Sequence, residues 1–388
     1  MAVAANWSYP TSIRFGAGRI AEIAETVAAA GMARPLFVTD SGLADLDITR
    51  RTLALLGEGG IDAVVFSEVR SNPVEENLTA GIEVFREGAH DGVVAFGGGS
   101  ALDVGKLVAF MAGQVLPVWD FEDIGDWWTR ADADTIAPVV AVPTTAGTGS
   151  EVGRAGVITH GATHTKKVIF HPRMMPRAVI CDPELTVAMP PALTAGTGMD
   201  AFAHCLEAYC APGFHPLADG IAVEGIRLVA GSLARAVSTG HDIEARAGMM
   251  AAAAMGATAF QKGLGAIHSL SHPVGALYDT HHGLTNAVLM PYVLAFNRPA
   301  VEDRIARLAA FVGLADPGFD GFLRFVVRLR AGIGVPHRLS ELGVDDRRID
   351  QIVEMALVDP TAAGNPVPLT REGLRAIFED ALAGRLQI

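Results

Sequence analysis

The composition of the chain excludes several classes of protein before any motif is considered. Its 388 residues are 50% hydrophobic and 19% charged, which is typical of a globular protein long enough for two domains. The net charge of −13 argues against a nucleic-acid partner or an anionic membrane surface, because both require a basic patch. No uninterrupted run of about 18 apolar residues occurs, so no membrane span is predicted.

The cysteines and the N-terminus favour a reducing, cytoplasmic location. Cys181, Cys205 and Cys210 show no CxxC spacing, so we expect buried free thiols instead of a disulfide framework. The N-terminal stretch MAVAANWSYPTSIRF lacks a basic segment followed by an apolar run, and no secretory signal is predicted.

The first half of the chain alternates strand-length apolar runs with longer helical patterns. The predicted strands lie in ARPLFVTDSG, IDAVVFSEV, HDGVVAFGGGS and PVVAVPTTAG, and helical spacing appears in ENLTAGIEVFREGA and SALDVGKLVAFMAG. This alternation, with continuously apolar strands, predicts a parallel sheet covered by helices on both faces.

The second half of the chain reads as helical. After about residue 190 the segments are rich in Ala and Leu with a period near 3.6, and convincing strands are absent. We therefore expect an α/β domain over residues 1–190 and an all-α domain over residues 191–388, with the boundary near the Pro-Pro of AMPPALTAG.

A glycine-rich loop follows the third predicted strand, in VVAFGGGSALDVGK. Gly97, Gly98, Gly99 and Ser100 stand where a strand meets a helix, and the free N–H groups of a first helical turn bind anions. The spacing matches neither the common dinucleotide fingerprint nor a Walker loop. The loop is either a pyrophosphate cradle or a tight turn.

A second loop, PTTAGTGSE, follows the fourth predicted strand. It carries four hydroxyl side chains, Thr144, Thr145, Thr148 and Ser150, and hydroxyls at the carboxyl end of a parallel sheet often hold a polar cofactor. The alternative is a cluster that only caps a helix. Two such loops after separate strands favour a ligand.

Two polar residues near strand ends have a similar double interpretation. Asp40 closes the first predicted strand, and a carboxylate there can accept from ribose hydroxyls and repel a 2′-phosphate. Asp40 precedes the glycine loop, whereas the usual fingerprint places its acid about 20 residues later, so we expect a different sheet topology. Asp40, like Asn72, could equally be a turn residue.

The second half contains the residues that predict a metal site. Asp200 and His204 are four residues apart in a helical segment and share one face, as do His268 and His272. His281 and His282 follow just before a glycine. Each pair alone is weak evidence, but together a carboxylate and several imidazoles suit Fe²⁺, Zn²⁺ or Mn²⁺.

The chain resembles the iron-containing (group III) alcohol dehydrogenase family. The resemblance rests on GGGSALDVGK, PTTAGTGSEV, TGMDAFAHCLEAY and GLGAIHSLSHPVGALYDTHHGLTNAVLMPYVLAFN, and it runs in order from YPTSIRFGAG to NPVPLTREGL. It implies a dehydroquinate synthase-like fold: an N-terminal α/β domain with Rossmann-like nucleotide binding and a helical metal-binding domain. A homodimer is what the family suggests.

The resemblance also implies roles for individual residues. The metal ligands correspond to Asp200, His204, His268 and His282, and His272 corresponds to a residue implicated in proton transfer. His281 stands where relatives commonly carry proline and receives no role. The nucleotide contacts correspond to Asp40, Asn72, Gly98, Gly99, Ser100, Asp103, Thr144, Thr145, Thr148, Lys167 and Leu193.

The implied activity is that of a metal-dependent alcohol dehydrogenase or aldehyde reductase. Fe²⁺, with Zn²⁺ as the alternative, would polarise the oxygen of a small alcohol or aldehyde while hydride passes to or from NAD, with NADP as the alternative. Three other hypotheses remain at this point: a metal-dependent hydrolase, a relative of the polyol-phosphate dehydrogenase or dehydroquinate synthase kind, and a metal-free nucleotide-binding protein.

Overall fold

The computed structural model describes residue 9 and residues 11–161 and 165–386, and these residues divide into two compact units. The sheet unit comprises Tyr9–Thr145 and Gly149–Val187, and the helical unit comprises Ala146–Thr148 and the chain from Ala188 onward. Most of the stretch used to judge a secretory signal lies outside the described residues.

The sheet unit contains eight strands and four α-helices among its described residues. In chain order they are β1 (Ser12–Phe15), α1 (Ile23–Ala29), β2 (Leu36–Val38), α2 (Asp47–Glu58), β3 (Val64–Phe66), α3 (Glu75–Glu87), β4 (Val93–Gly97), α4 (Gly99–Met111), β5 (Val139–Pro143), β6 (Ala155–His160), β7 (Thr165–Phe170) and β8 (Ala178–Cys181). The four predicted strands are β2, β3, β4 and β5, and the two predicted helices are α3 and α4.

Six strands form one parallel sheet, as the sequence predicted. The strand order is β1-β8-β5-β4-β2-β3, and every pairing in this sheet is parallel. The chain runs outward from β2 to β3 and then returns to β4 on the other side of β2. The direction therefore reverses between β2 and β4, and ligands of open α/β sheets bind at the carboxyl ends of strands at such a point.

Helices cover both faces of the sheet because the central strands are apolar on both sides. Val94 and Phe96 of β4 join a buried cluster that includes Ile23 of α1 and Leu56 of α2. On the opposite face Ala95 lies against α4, where a Cβ on Gly105 would be 2.7 Å from the Ala95 Cβ. Burying a side chain such as Phe96 contributes about 1.5–3 kcal/mol, so a continuously apolar strand is stable only between two layers of helices.

The structure adds four strands that the sequence analysis did not predict. β1 and β8 are short and pair with each other, which extends the parallel sheet to its edge. β6 and β7 form a separate antiparallel ribbon with a register that joins Ala155 to Phe170. The sequences of β6 and β7 mix polar and apolar residues, so these strands lack the uninterrupted apolar run by which β2 to β5 were recognised.

The described part of the helical unit consists of α-helices linked by turns and 3-10 segments. They are α5 (Pro191–Cys210), α6 (Pro216–Ser238), α7 (Ile243–Ala259), α8 (Ala266–Tyr278), α9 (His282–Phe311), α10 (Phe319–Gly332), α11 (Ile349–Leu357) and α12 (Arg371–Ala383). This agrees with the predicted helical second half. Within the described residues, none of the helices has the length and apolar character needed to cross a membrane.

The cysteines are buried free thiols, as expected from the sequence. Burial raises the pKa of Cys205 and of Cys210 to about 12 and also raises the pKa of Cys181. None of the three forms a disulfide, and all three stay protonated at neutral pH.

Helix α6 tests how closely the helical unit is packed, because two of its three glycines, Gly225 and Gly231, have different surroundings. A Cβ on Gly225 would lie 2.5 Å from the Cys205 Sγ of α5, whereas a Cβ on Gly231 would have open space around it. We expect Gly225→Ala to destabilise the protein by about 1–3 kcal/mol through overpacking. Gly231→Ala should stabilise it by about 0.5–1 kcal/mol through helix propensity.

Urea unfolding of both variants measures these changes in the free energy of unfolding. Gly231→Ala is the matched control, since it makes the same substitution in the same helix. Equal effects of the two substitutions would contradict the close approach of α6 to α5.

Candidate metal centre and nucleotide loops

The candidate metal centre begins on helix α5. Pro190 precedes the helix and Pro191 occupies its first position, where a missing N–H costs nothing. Asp200 and His204 follow one turn apart inside the helix, and both are buried. Their side chains point from one face, and the Asp200 Oδ1 lies 3.9 Å from the His204 Nε2.

Helices α8 and α9 supply the other two candidate ligands. His268 lies in the first turn of α8, and its Nε2 is 3.8 Å from the Asp200 Oδ1. His282 is the first residue of α9, and its Nε2 is 3.4 Å from the same oxygen. Three imidazole Nε2 atoms on three different helices therefore converge on one carboxylate oxygen.

The spacing and burial of these donors fit a divalent metal ion. The candidate ligand atoms of Asp200, His204 and His268 all lie within 4.8 Å of one another. Ligands about 2.1 Å from a tetrahedral ion are roughly 3.4 Å apart, close to the spacing observed here. Among the described residues no lysine or arginine pairs with Asp200, so its buried charge is left for another cation to balance.

The pKa values of the two buried imidazoles shift in opposite directions. Burial lowers the pKa of His204 to about 4, so this ring is neutral near pH 7 and keeps a nitrogen lone pair for a ligand bond. Burial also acts to lower the pKa of His268, but the neighbouring Glu207 carboxylate outweighs it and the net pKa is raised.

Two further residues contact the candidate ligands and were not singled out from the sequence. Glu207 on α5 accepts from the Ile267 N–H at 2.7 Å, and its other oxygen lies 2.5 Å from the His268 Nδ1. Asn286 on α9 is fully buried, and its Nδ2 lies 2.8 Å from the Asp200 Oδ1. Helical spacing could have identified both, since Glu207 is three residues after His204 and Asn286 four after His282.

His272 makes a different set of contacts from the four candidate ligands. Its Nδ1 lies 2.8 Å from Asp359 Oδ2, and its ring stacks on His282 with centroids 5.5 Å apart. Thr361 donates to Asp359 from its backbone N–H and from its hydroxyl. Burial acts to raise the pKa of Asp359, but the hydrogen bonds from His272 and Thr361 lower it overall.

His281, to which the sequence analysis gave no role, is the N-cap of α9. Its Nδ1 accepts from the Leu284 N–H at 3.4 Å. Immediately after it, α9 passes so close to α5 that a Cβ on Gly283 would lie 2.1 Å from the Gly196 carbonyl oxygen. The cap and the close contact together bring His282 to Asp200.

In the sheet unit, the two loops predicted to hold a nucleotide lie side by side. β4 and β5 are neighbours, the Thr144 N–H donates to the Gly97 carbonyl, and a Cβ on Gly98 would be 3.3 Å from the Thr145 side chain. Gly98 caps α4 without a side-chain hydrogen bond to the helix. The N–H groups of the first turn, at Gly99 and Ser100, therefore lack a side-chain cap and suit an anion.

Asp40 lies beside the glycine loop although it precedes that loop by more than fifty residues. β2 and β4 are neighbours at the reversal point of the sheet, and the Asp40 Oδ2 would be 3.6 Å from a Cβ on Gly97. The other carboxylate oxygen accepts from the N–H groups of Gly42 and Leu43. Asp40 is thus a turn residue, and it also presents a charge at the loop.

The remaining candidate nucleotide residues occupy varied positions. Asp103 accepts from the Ser150 hydroxyl at 2.5 Å and from the Val157 N–H at 3.1 Å, so it ties α4 to the threonine loop and to β6. Lys167 on β7 forms an ion pair with Glu122. Asn72 follows Ser71, and the Ser71 carbonyl accepts from the Ser100 hydroxyl. Thr148 and Leu193 belong to the helical unit.

Comparison with known proteins identifies the family. Residues 10–183 match the model of the iron-containing alcohol dehydrogenase family, and residues 194–382 match the model of that family's C-terminal region. The 4-hydroxybutyrate dehydrogenase of Cupriavidus necator is 39% identical over 384 residues, which cover 96% of this chain and 99% of the relative.

Solved structures agree with this result. An alcohol dehydrogenase from Oenococcus oeni superposes with a TM-score of 0.92 at 34% identity, covering 97% of this chain and 100% of the other. Sulfoacetaldehyde reductase from Bifidobacterium kashiwanohense, solved in complex with NAD⁺, gives a TM-score of 0.89 at 29% identity and covers 98% and 99% of the two chains.

The chain belongs to the iron-containing alcohol dehydrogenase family. It is a metal-dependent alcohol dehydrogenase, an NAD(P)-dependent oxidoreductase acting on CH–OH groups and on the corresponding aldehydes. The family assignment and the implied fold are thereby confirmed, and the hydrolase and metal-free hypotheses are wrong.

Neighbouring histidines allow a sharp test of the candidate centre. His282→Ala should abolish tight metal binding, because it removes one of four converging donors. His281→Ala should retain the metal and lower the free energy of unfolding by about 1 kcal/mol, because it removes the N-cap of α9 and none of the four candidate ligands. Metal analysis after dialysis, with urea unfolding of the same samples, measures both; metal loss in His281→Ala with retention in His282→Ala would reverse the assignment.

Proposed function

We propose that Asp200, His204, His268 and His282 together hold one divalent metal ion, Fe²⁺, with Zn²⁺ as the alternative. The observation that supports this most directly is the convergence of three Nε2 atoms on Asp200 Oδ1 at 3.4–3.9 Å, where no lysine or arginine among the described residues pairs with Asp200. Oxygen and imidazole donors without thiolate suit Fe²⁺ as well as Zn²⁺, and the family's description favours iron.

The proposed chemistry divides between the bound groups and the protein. When bound, the metal polarises the substrate oxygen and lowers the pKa of the alcohol, and the nicotinamide ring accepts the hydride. The protein's own task is to orient these groups and to move the alcohol proton.

We propose that His272 accepts and transfers the alcohol proton. Its Nδ1 is engaged with Asp359, which favours a hydrogen on Nδ1 and leaves Nε2 as the proton acceptor. The His272 side chain is 26% exposed, unlike the almost fully buried rings of His204 and His268, so it has access to solvent. Asp359 orients the ring, as the acid of a carboxylate–histidine pair does.

We propose that most of the nucleotide contacts lie in the α/β domain, residues 1–190, and that the metal binds in the helical domain, residues 191–388. The proposed nucleotide contacts are Asp40, Asn72, Gly98, Gly99, Ser100, Asp103, Thr144, Thr145, Thr148, Lys167 and Leu193. The uncapped N-terminus of α4 suits the pyrophosphate. The Asp40 charge beside the glycine loop favours NAD over NADP, because it repels a 2′-phosphate.

The substrate is proposed to be a small alcohol or aldehyde. The relative from Cupriavidus necator is named for 4-hydroxybutyrate, and another, from Citrobacter freundii, for 1,3-propanediol, so terminal hydroxyl compounds of three or four carbons are the first to test. We also propose that the protein is a homodimer in the cytoplasm.

Separating the metal role from the proton role tests the proposed function. His268→Ala should lose the metal and all turnover. His272→Ala should retain the metal, while turnover of 1,3-propanediol falls by about 10²–10⁴-fold, since only proton transfer is impaired. Metal content and kcat are measured on the same preparations. Loss of metal from His272→Ala with retention of metal in His268→Ala would contradict these roles.

The proposed preference for NAD depends on the charge of Asp40. Asp40→Asn keeps an oxygen that accepts from the Gly42 and Leu43 N–H groups but removes the repulsion toward a 2′-phosphate. The ratio of kcat/KM for NADP to that for NAD should rise by about tenfold, equivalent to about 1.4 kcal/mol. Asp47→Asn, which changes an exposed acid in the first turn of α2, is the charge-matched control and should leave the ratio unchanged. An unchanged ratio in Asp40→Asn would show that the charge of Asp40 does not set the preference for NAD.

A further inference from the structure

Glu207 lies on the same face of α5 as His204, and its carboxylate contacts α8 twice. One oxygen accepts from the Ile267 N–H at 2.7 Å, and the other lies 2.5 Å from His268 Nδ1. A single side chain therefore holds both the backbone at the start of α8 and the ring of the histidine that follows.

The burial of Glu207 makes these contacts significant. Only 6% of the residue is exposed, and His268 is its one ion-pair partner among the described residues, with no lysine or arginine within reach. A buried carboxylate without compensation is costly. Hydrogen bonds donated by Ile267 and His268 supply that compensation, so the carboxylate and the ring depend on each other.

The chemistry of the two groups determines which nitrogen of His268 carries hydrogen. A carboxylate only accepts, so the ring must present N–H at Nδ1. The lone pair of the neutral ring then lies on Nε2, the atom that is 3.8 Å from Asp200 Oδ1 and faces the other candidate ligands. Metal-binding histidines commonly donate their second N–H to such a partner, which orients the ring and raises its basicity.

We infer that Glu207 is a positioning residue for the metal centre: it keeps hydrogen on His268 Nδ1 and aims the Nε2 lone pair at a divalent cation. The inference rests on the proposed function, in which His268 is a ligand. In this role Glu207 acts through His268.

Glu207→Gln distinguishes this role from a purely structural one. The glutamine has the same shape, and its carbonyl oxygen can still accept from Ile267 N–H. Its amide nitrogen, however, would donate to His268 Nδ1 and so move the ring hydrogen to Nε2, where it blocks the metal. A structural role needs only the two contacts, and glutamine retains both.

The measurement is the affinity of the full-length protein for Zn²⁺ and for Co²⁺, obtained by chelator competition, with the Co²⁺ absorption spectrum as the coordination signature. We expect Glu207→Gln to weaken affinity by roughly 10- to 100-fold with an unchanged melting temperature of the metal-free protein. Excess Zn²⁺ should restore turnover toward the parent value. Affinity within about twofold of the parent and an unaltered Co²⁺ spectrum would overturn the inference.

Asn365 offers a control, because it lies outside α8 but contacts the same first turn of that helix. Its Oδ1 accepts from the Ala266 N–H, next to the Ile267 contact, and it touches no candidate ligand ring. Asn365→Ser should lower the melting temperature and leave metal affinity within about threefold of the parent. An equal loss of affinity in Asn365→Ser and Glu207→Gln would mean that loosening α8 is sufficient, and would also overturn the inference.

A measurement on the parent protein covers the case in which Glu207→Gln fails to fold. In Zn²⁺-loaded protein labelled with ¹⁵N-histidine, the hydrogen of His268 should be found on Nδ1, and its presence on Nε2 would overturn the inference. Failure of the proposed function is distinguishable, because His268→Ala would then retain the metal. If His268→Ala loses the metal while Glu207→Gln keeps it, the inference about Glu207 alone fails.

Discussion

The carboxylate of Asp200 is the constraint on which the helical unit depends. It is buried, has no lysine or arginine partner among the described residues, and receives three imidazole nitrogens from α5, α8 and α9. Acceptor atoms gathered in this way repel one another unless a hydrogen-bond donor, such as the Asn286 amide, or a cation lies among them. Other contacts also hold these helices together: the close approach of Gly283 to Gly196 and the hydrogen bonds of Glu207 and Asn286.

In the sheet unit, packing also brings together residues that are far apart in the sequence. A nucleotide needs an anion site and a polar edge, and parallel strands place both at their carboxyl ends. Because β2 and β4 are neighbours, Asp40 and the glycine loop share this edge, and the neighbouring β5 adds the threonine loop. The buried strands between covering helices keep these loops at fixed separations.

Much of this arrangement was predictable from local patterns, and the failures have physical reasons. Apolar runs identified β2 to β5, whereas β1, β8 and the β6–β7 ribbon are too short or too mixed in polarity to be recognised. Helical spacing paired Asp200 with His204, and it would also have indicated Glu207 and Asn286. Asp359 was beyond prediction, because it contacts His272 across 87 residues of chain. The role of His281 as a helix cap was not predicted, because it depends on where α9 begins.

The sequence by itself determined which chemical groups the protein has and which of them share a helix face, since the 3.6-residue period of a helix is a local property. Together with the family resemblance, this was sufficient for the reaction class. Only the tertiary structure decided which atoms meet: the single oxygen of Asp200 that faces three rings, the Nδ1 of His268 held by Glu207, and the pairing of His272 with Asp359. Those distances depend on how helices far apart in sequence pack, which no local spacing encodes.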